Sequence, residues 1–254
     1  MFEEPDPARL SLDYYRFCDT YHLMNFTDLR TGRLAQGLSQ VRAAARLRVS
    51  QSYLAMLESG GRRLTPELAR RAMKAYNLPP TALPPSALGS VRRRVTAEGL
   101  ASDLAALGYP GFAYLGPRKR KPKNPGEVLL TALAQEDLES RLVEPLPWLV
   151  LRFWPLDQEW LVREAKLLDV QNRLGFVVSL ARRRAEAAGD QPRARALKHL
   201  ETVLERSRLA REDTLCRASL PEAERRWLAE HRAPEARHWN LLTDWTAEAL
   251  RYVA

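Results

Sequence analysis

Two short stretches, Gly37-Leu38-Ser39-Gln40 and Val49-Ser50-Gln51-Ser52-Tyr53, with Glu58-Ser59-Gly60 closing the second, constrain this chain more than any other feature. Each serine precedes a run with helical apolar spacing. Ser39 and Ser50 are therefore expected N-caps, their hydroxyls accepting from first-turn amide N–H groups. The result is two short helices joined by a tight turn. Such a pair, crossing steeply, puts the N-terminal side chains of its second helix into a DNA major groove.

On that expectation Gln51 and Ser52, with Ala55 and Met56 one turn later, read bases, while Leu54 and Leu57 face inward. Gln51 is the best reader, because its amide donates and accepts together and so matches adenine N6 and N7. Ala55 and Met56 suit a thymine methyl. Gln40, beside the partial positive charge of the first helix's N-terminus, is expected on a phosphate. Arg62 and Arg63, just past the second helix, are placed for the backbone as well.

The charge distribution agrees. The net charge is +9, and residues 1–125 carry twenty basic and ten acidic side chains whereas residues 126–254 carry twenty and twenty-one. A polyanion partner is thus expected on the N-terminal half. Between Leu29 and Leu78 the acids are Glu58 and Glu67 alone, against ten basic residues. Cys18 and Cys216 form no CxxC pair and no even framework, so neither zinc nor a disulfide scaffold is indicated, and a reducing cytoplasm is the expected setting. The N-terminus is acidic where a secretory leader is basic, and no apolar run approaches the roughly twenty residues of a membrane span. Export and membrane insertion are therefore not expected.

Helical periodicity dominates the rest of the chain, and the expected fold class is all-α. Residues 1–27 read as an aromatic-rich N-terminal arm, and 28–84 as a compact helical module. Residues 85–125 read as a Pro-rich basic linker with a short helix at 96–107, and 126–254 as a separate helical domain. Thr65-Pro66-Glu67 marks a helix start, running to about Asn77. Leu146 to Trp154 is an apolar run better read as a buried helix than a strand, and Ser219 with Glu222 has capping-box spacing. Leu197, Leu200, Leu204 and Leu209 suggest a further helix.

Residues Leu29 to Leu83 resemble the phage repressor and Cro-like helix-turn-helix family, often called the XRE family. The resemblance covers a little over a fifth of the chain. It rests on Arg33, Gly37-Leu38-Ser39-Gln40, Ala44, Leu47, Val49-Ser50, Glu58 and Gly60 in register. It implies DNA binding and an ion pair between Arg33 and Glu58 bracing the first helix against the recognition helix. Two residues depart from the pattern. Arg48 stands where the turn normally has Gly, so a positive φ is expected there, and its side chain is placed to reach a phosphate. Gly32 stands where the first helix normally has a large apolar residue.

Other constellations carry less. The basic run Arg118 to Lys123 reads equally as a DNA-following segment and as a solvated linker, and Arg92-Arg93-Arg94 is a weaker version. Arg226 before His231 and Arg232 before His238 have a spacing like that of helical HEPN-type RNases, a common coincidence in an Arg-rich chain. No Gly-rich phosphate loop, HExxH or nucleophile elbow is present, so no catalytic residue, cofactor or metal is assigned. Trp148, Trp154, Trp160, Phe153 and Phe176, with Gln171-Asn172-Arg173, read as core more readily than as a ligand pocket. Trp227, Trp239 and Trp245 are candidates for a patch that contacts another chain.

Together these features predict a cytoplasmic, sequence-specific regulator that binds double-stranded DNA, a repressor acting as a homodimer on a pseudo-palindrome. An antitoxin masking a toxin through its C-terminal domain is the first alternative. A targeted helical nuclease is the second.

Overall fold

The computed structural model describes residues 26–62, 64–85, 95–115 and 121–252. The N-terminal arm to residue 25, Arg92-Arg93-Arg94, Arg63, and residues 118–120 of the basic run lie outside the described residues, as does Cys18. The chain divides into two compact units, residues 1–84 and 85–254. It is mostly helical with almost no strand, so the fold is all-α with a helix-turn-helix at the N-terminus.

The first unit contains α1 (Phe26–Ala35), α2 (Gln40–Leu47), α3 (Gln51–Glu58) and α4 (Pro66–Ala75), followed by a short 3-10 turn. Its core joins Leu29, Leu38, Leu47, Leu54, Leu57, Leu68 and Tyr76 to Ala43, Ala44, Ala69 and Ala72. The alanines let α2 approach α3 and α4 closely. Thr65 caps α4 by accepting from the amide of Leu68, with Pro66 in the first turn. The helix stops at Ala75 and not at Asn77, because Asn77 turns left-handed at φ 53° and Leu78 N–H reverts to the Met73 carbonyl at 2.8 Å. That reversal sends Leu78 back over α1. A Cβ on Gly32 would meet Leu78 Cδ2 at 3.2 Å and Tyr76 Cδ2 at 3.3 Å, so the apolar volume missing from α1 is supplied from the end of α4.

The second unit runs α5 (Ala97–Ala106), a 3-10 segment, α6 (Pro125–Leu133), α7 (Ser140–Val143), α8 (Pro145–Arg152), α9 (Gln158–Leu167), α10 (Gln171–Ala187) and α11 (Gln191–Glu205). Then follow β1 (Asp213–Thr214), α12 (Glu222–His231), α13 (Pro234–His238) and β2 (Leu241–Leu242). The long helices α10 and α11 pack along each other, and α8 packs on α10. Leu146, Trp148, Leu149 and Val150 of α8 are buried, which places the ambiguous apolar run in a core helix.

Helix α5 docks on its neighbours: Leu100 and Leu104, with Leu107 just beyond it, enter the same core as α6 and α8. Two expectations need correcting. Ser219 does not cap α12: its amide and hydroxyl both donate to Asp137 Oδ1, and Pro221 takes the cap position. Leu209 lies beyond α11, its backbone bound to the Asn172 side chain through both N–H and C=O. That pairing commits the Asn172 side chain to the fold. Arg173 is a clamp, bidentate to Asp213 at 2.7 and 2.8 Å while donating to the carbonyls of Leu133 and Gln135.

Trp148, Trp154, Trp160, Phe153 and Phe176 are all buried core. The three C-terminal tryptophans do not share one exposed patch: Trp239 is 1% exposed, Trp245 half-buried, and Trp227 is 52% exposed. Cys216 is buried and its thiol donates to the Ala132 carbonyl, burial pushing it up to about 11.

Candidate nucleic-acid interface

Ser39 caps α2 by accepting from Arg42 N–H at 3.3 Å, and Ser50 caps α3 by accepting from Tyr53 N–H at 3.1 Å. The remaining first-turn amides of α2 have no intrahelical acceptor, which leaves a partly positive helix end suited to a phosphate. Between the helices lies the turn Arg48-Val49-Ser50. Arg48 sits at φ 56°, ψ 49°, its N–H on the Ala45 carbonyl, and Val49 N–H returns to Ala44, which is a Schellman closure. A non-glycine residue pays roughly 1–2 kcal/mol for that conformation. Part of its support comes from α4, where Arg71 donates Nη1 to the Leu47 carbonyl at 3.1 Å and Nη2 to Glu67 at 2.7 Å. The last carbonyl of α2 is thereby satisfied from outside.

Along α3, at about 100° per residue, Leu54, Leu57 and Glu58 are buried on one side. Gln51, Ser52 and Met56 are exposed and Ala55 half-buried, on one stripe opposite. Met56 is 40% exposed, which leaves its side chain accessible for a thymine methyl. Arg48 and Arg62 are exposed and make no ion pair among the described residues.

The frame behind this stripe is polar and buried. Arg33 Nε donates to Glu58 Oε1 at 2.7 Å, its Nη2 to Oε2 at 3.0 Å, and its Nη1 to the Leu38 carbonyl at 2.8 Å. Glu58 Oε2 also accepts from Gln40 Nε2 at 3.0 Å. One carboxylate at the end of α3 therefore gathers α1 through Arg33 and the start of α2 through Gln40. Burial alone would raise the Glu58 carboxyl, but the hydrogen bonds from Arg33 and Gln40 and the Arg33 charge outweigh it and hold it below its ordinary value. The Gln40 contact was not legible in the sequence. It fixes the amide nitrogen inward and leaves Gln40 one N–H and its oxygen for other partners.

Arg48 separates two roles that a single substitution can test. Arg48→Gly should stabilise the unit by about 1 kcal/mol by relieving the left-handed strain, measured as a raised denaturation midpoint. If Arg48 also meets a phosphate, the same variant binds DNA more weakly at every sequence and its salt slope falls by about one. A lowered midpoint would remove the strain argument.

The HEPN-like residues are dispersed in other contacts. His231 stacks on Trp227 and bonds its carbonyl, and His238 bonds Glu205 at 2.6 Å. Arg226 lies near Glu222, and Arg232 donates to Glu212 and the Leu241 carbonyl. Among the described residues no cluster of His, Cys, Asp or Glu could hold a metal, and no helix is long and apolar enough to cross a membrane.

Residues 29–83 match a family model described as helix-turn-helix, of the XRE type, and that match supports a DNA-binding regulator of transcription. No curated protein and no solved structure matches the chain.

Proposed function

We propose that the chain is a sequence-specific transcriptional repressor, without catalytic activity, that works in the cytoplasm as a homodimer on a pseudo-palindromic operator. The observation that carries this reading is the exposed stripe Gln51, Ser52, Ala55 and Met56, presented by a helix whose inner face is locked to α1 and α2 through Glu58. Base readers need a rigid support, and the Glu58 network supplies one. Phosphate contacts by Gln40, Arg48, Arg62 and Arg63 would set the register without carrying sequence information. Two recognition helices about one DNA turn, roughly 34–36 Å, apart would read the two half-sites.

Footprinting on the DNA upstream of the protein's own gene, at two salt concentrations, tests this. Wild type should protect a symmetric site. Gln51→Ala should lose about 1–3 kcal/mol of discrimination, roughly fivefold to 150-fold, while keeping the salt-dependent background. Ser52→Ala should act in the same direction with a smaller loss. Uniform binding indifferent to both substitutions would demote the module to a nonspecific tether, and scattering that shows a strict monomer on and off DNA would remove the dimer.

The exposed Trp227, stacked on His231, favours one further use of the second unit, the masking of a toxin partner. Co-purification of a stoichiometric partner that is lost in Trp227→Ala would support an antitoxin over a stand-alone repressor.

A further inference from the structure

A groove of about 750 Å³ lies in the second unit between α10, α11 and α13, within the roughly 300–1,000 Å³ usual for small-molecule sites. Its wall holds a buried charge that the fold leaves half used. The Glu201 side chain is 8% exposed, and its Oε2 accepts from Arg182 Nε at 2.9 Å and Lys198 Nζ at 3.2 Å. Its Oε1 is shielded from solvent and has no hydrogen-bond partner. Buried carboxylate oxygens are costly to leave without a donor, so this one marks a place where a donor belongs.

Two cations on the same groove have capacity to spare. Among the described residues Lys198, 66% exposed, is bound through that single 3.2 Å contact, and Arg206 is exposed with no ion pair. The other charges are engaged: Glu205 with Arg208 and His238, Glu235 with Arg183, and Arg182 with Glu186 besides Glu201. Trp239, held by its indole N–H on Ser179 Oγ at 2.8 Å, gives the groove a rigid apolar floor.

We propose that this groove binds a small anionic solute that also carries an N–H donor, its anionic group between Lys198 and Arg206 and its N–H on Glu201 Oε1. Lys198 leaves Glu201 Oε2 for the incoming anion, Arg182 stays on the carboxylate, and Oε1 accepts the incoming N–H. Neither the unpaired acceptor nor the free cations alone select this class, but together they exclude a simple cation and disfavour a bare anion. The site stands on the second unit and does not depend on the DNA-binding reading.

Calorimetric titration of the full chain decides it with three probes. N-Acetyl-L-alanine offers a carboxylate with an amide N–H donor, AMP a phosphate with an exocyclic amine, and inorganic phosphate an anion without an N–H group. Saturable binding of N-acetyl-L-alanine or of AMP is expected and identifies carboxylate or phosphate as the anion, with inorganic phosphate at least about tenfold weaker. Glu201→Gln should weaken the bound probe by about tenfold or more, because Arg182 keeps the amide oxygen and turns its NH₂ toward the probe's own donor. Thr202→Trp, at an exposed position lining the groove, should abolish binding by filling it while leaving the melting temperature unchanged. Absence of saturable binding by both probes up to about 10 mM, binding unchanged in Thr202→Trp, or inorganic phosphate binding as well as AMP would overturn the proposal.

Discussion

Replacing Glu58 with alanine is expected to unfold the N-terminal unit. The substitution leaves the Arg33 guanidinium, 8% exposed, buried with no countercharge. Removing one partner of a buried pair costs about 3–5 kcal/mol. A unit of this size has roughly 3–9 kcal/mol in all. Denaturant melting followed through the unit's helical signal should show its midpoint collapse, with DNA binding lost at every sequence. The companion variant Arg33→Met with Glu58→Leu removes both charges and should restore most of the stability. If Glu58→Ala melts like wild type, the network is ornamental and the rigidity argument for the recognition helix fails.

The same network predicts the acid limb of stability. Because Glu58 is held below its ordinary value in the folded state, its contribution is fully present above the unfolded value of about 4.3. It is lost as pH falls from there through the depressed folded value. Wild type should therefore lose midpoint steeply below about pH 4.3, and the double apolar variant should show a shallower loss over that window.

The second large effect is expected at the other core. Gly175 lies in the second turn of α10 against the six-membered ring of Trp239, so close that any Cβ there would overlap the indole. Trp239 is 1% exposed, its N–H donates to Ser179 Oγ, and that hydroxyl donates to the Gly175 carbonyl at 3.0 Å. Trp239→Ala should cost the second unit about 3–5 kcal/mol through the cavity it leaves. Gly175→Ala should cost about 1–3 kcal/mol or more, because either the ring or the α10 backbone must move. The two should be strongly non-additive. In the double variant the added methyl enters the space that the ring vacated, so its loss should be smaller than the sum. Equilibrium unfolding of the four proteins tests this, and strict additivity would mean that the two residues do not meet.

How far the sequence could be read depended on the range of the physics involved. Ser39, Ser50 and Thr65 announced their helices because a cap acts over three residues, and each cap bond is present. The exposed stripe on α3 was legible because helical periodicity alone separates Gln51, Ser52, Ala55 and Met56 from Leu54 and Leu57. Ser219 failed as a cap because Asp137, far away in sequence, takes its hydroxyl. Which core receives the short helix at 97–106 was not legible, because its apolar face meets α6 and α8 only after the chain has folded back.

By itself the sequence determined local matters: where helices begin, which face of each is apolar, which half holds the excess charge, and the helix-turn-helix register at residues 29–83. Those properties depend on neighbours within a turn or two of helix, or on simple counting. Only the tertiary structure decided that Gln40 ties back to Glu58, that Leu78 fills the space above Gly32, and that Arg71 seals the end of α2. It also decided that Trp239 is a core residue pressed on Gly175 and not a surface anchor. Each of these is a contact between residues distant in the chain. Its geometry is set by the packing of whole helices, and no local pattern encodes it.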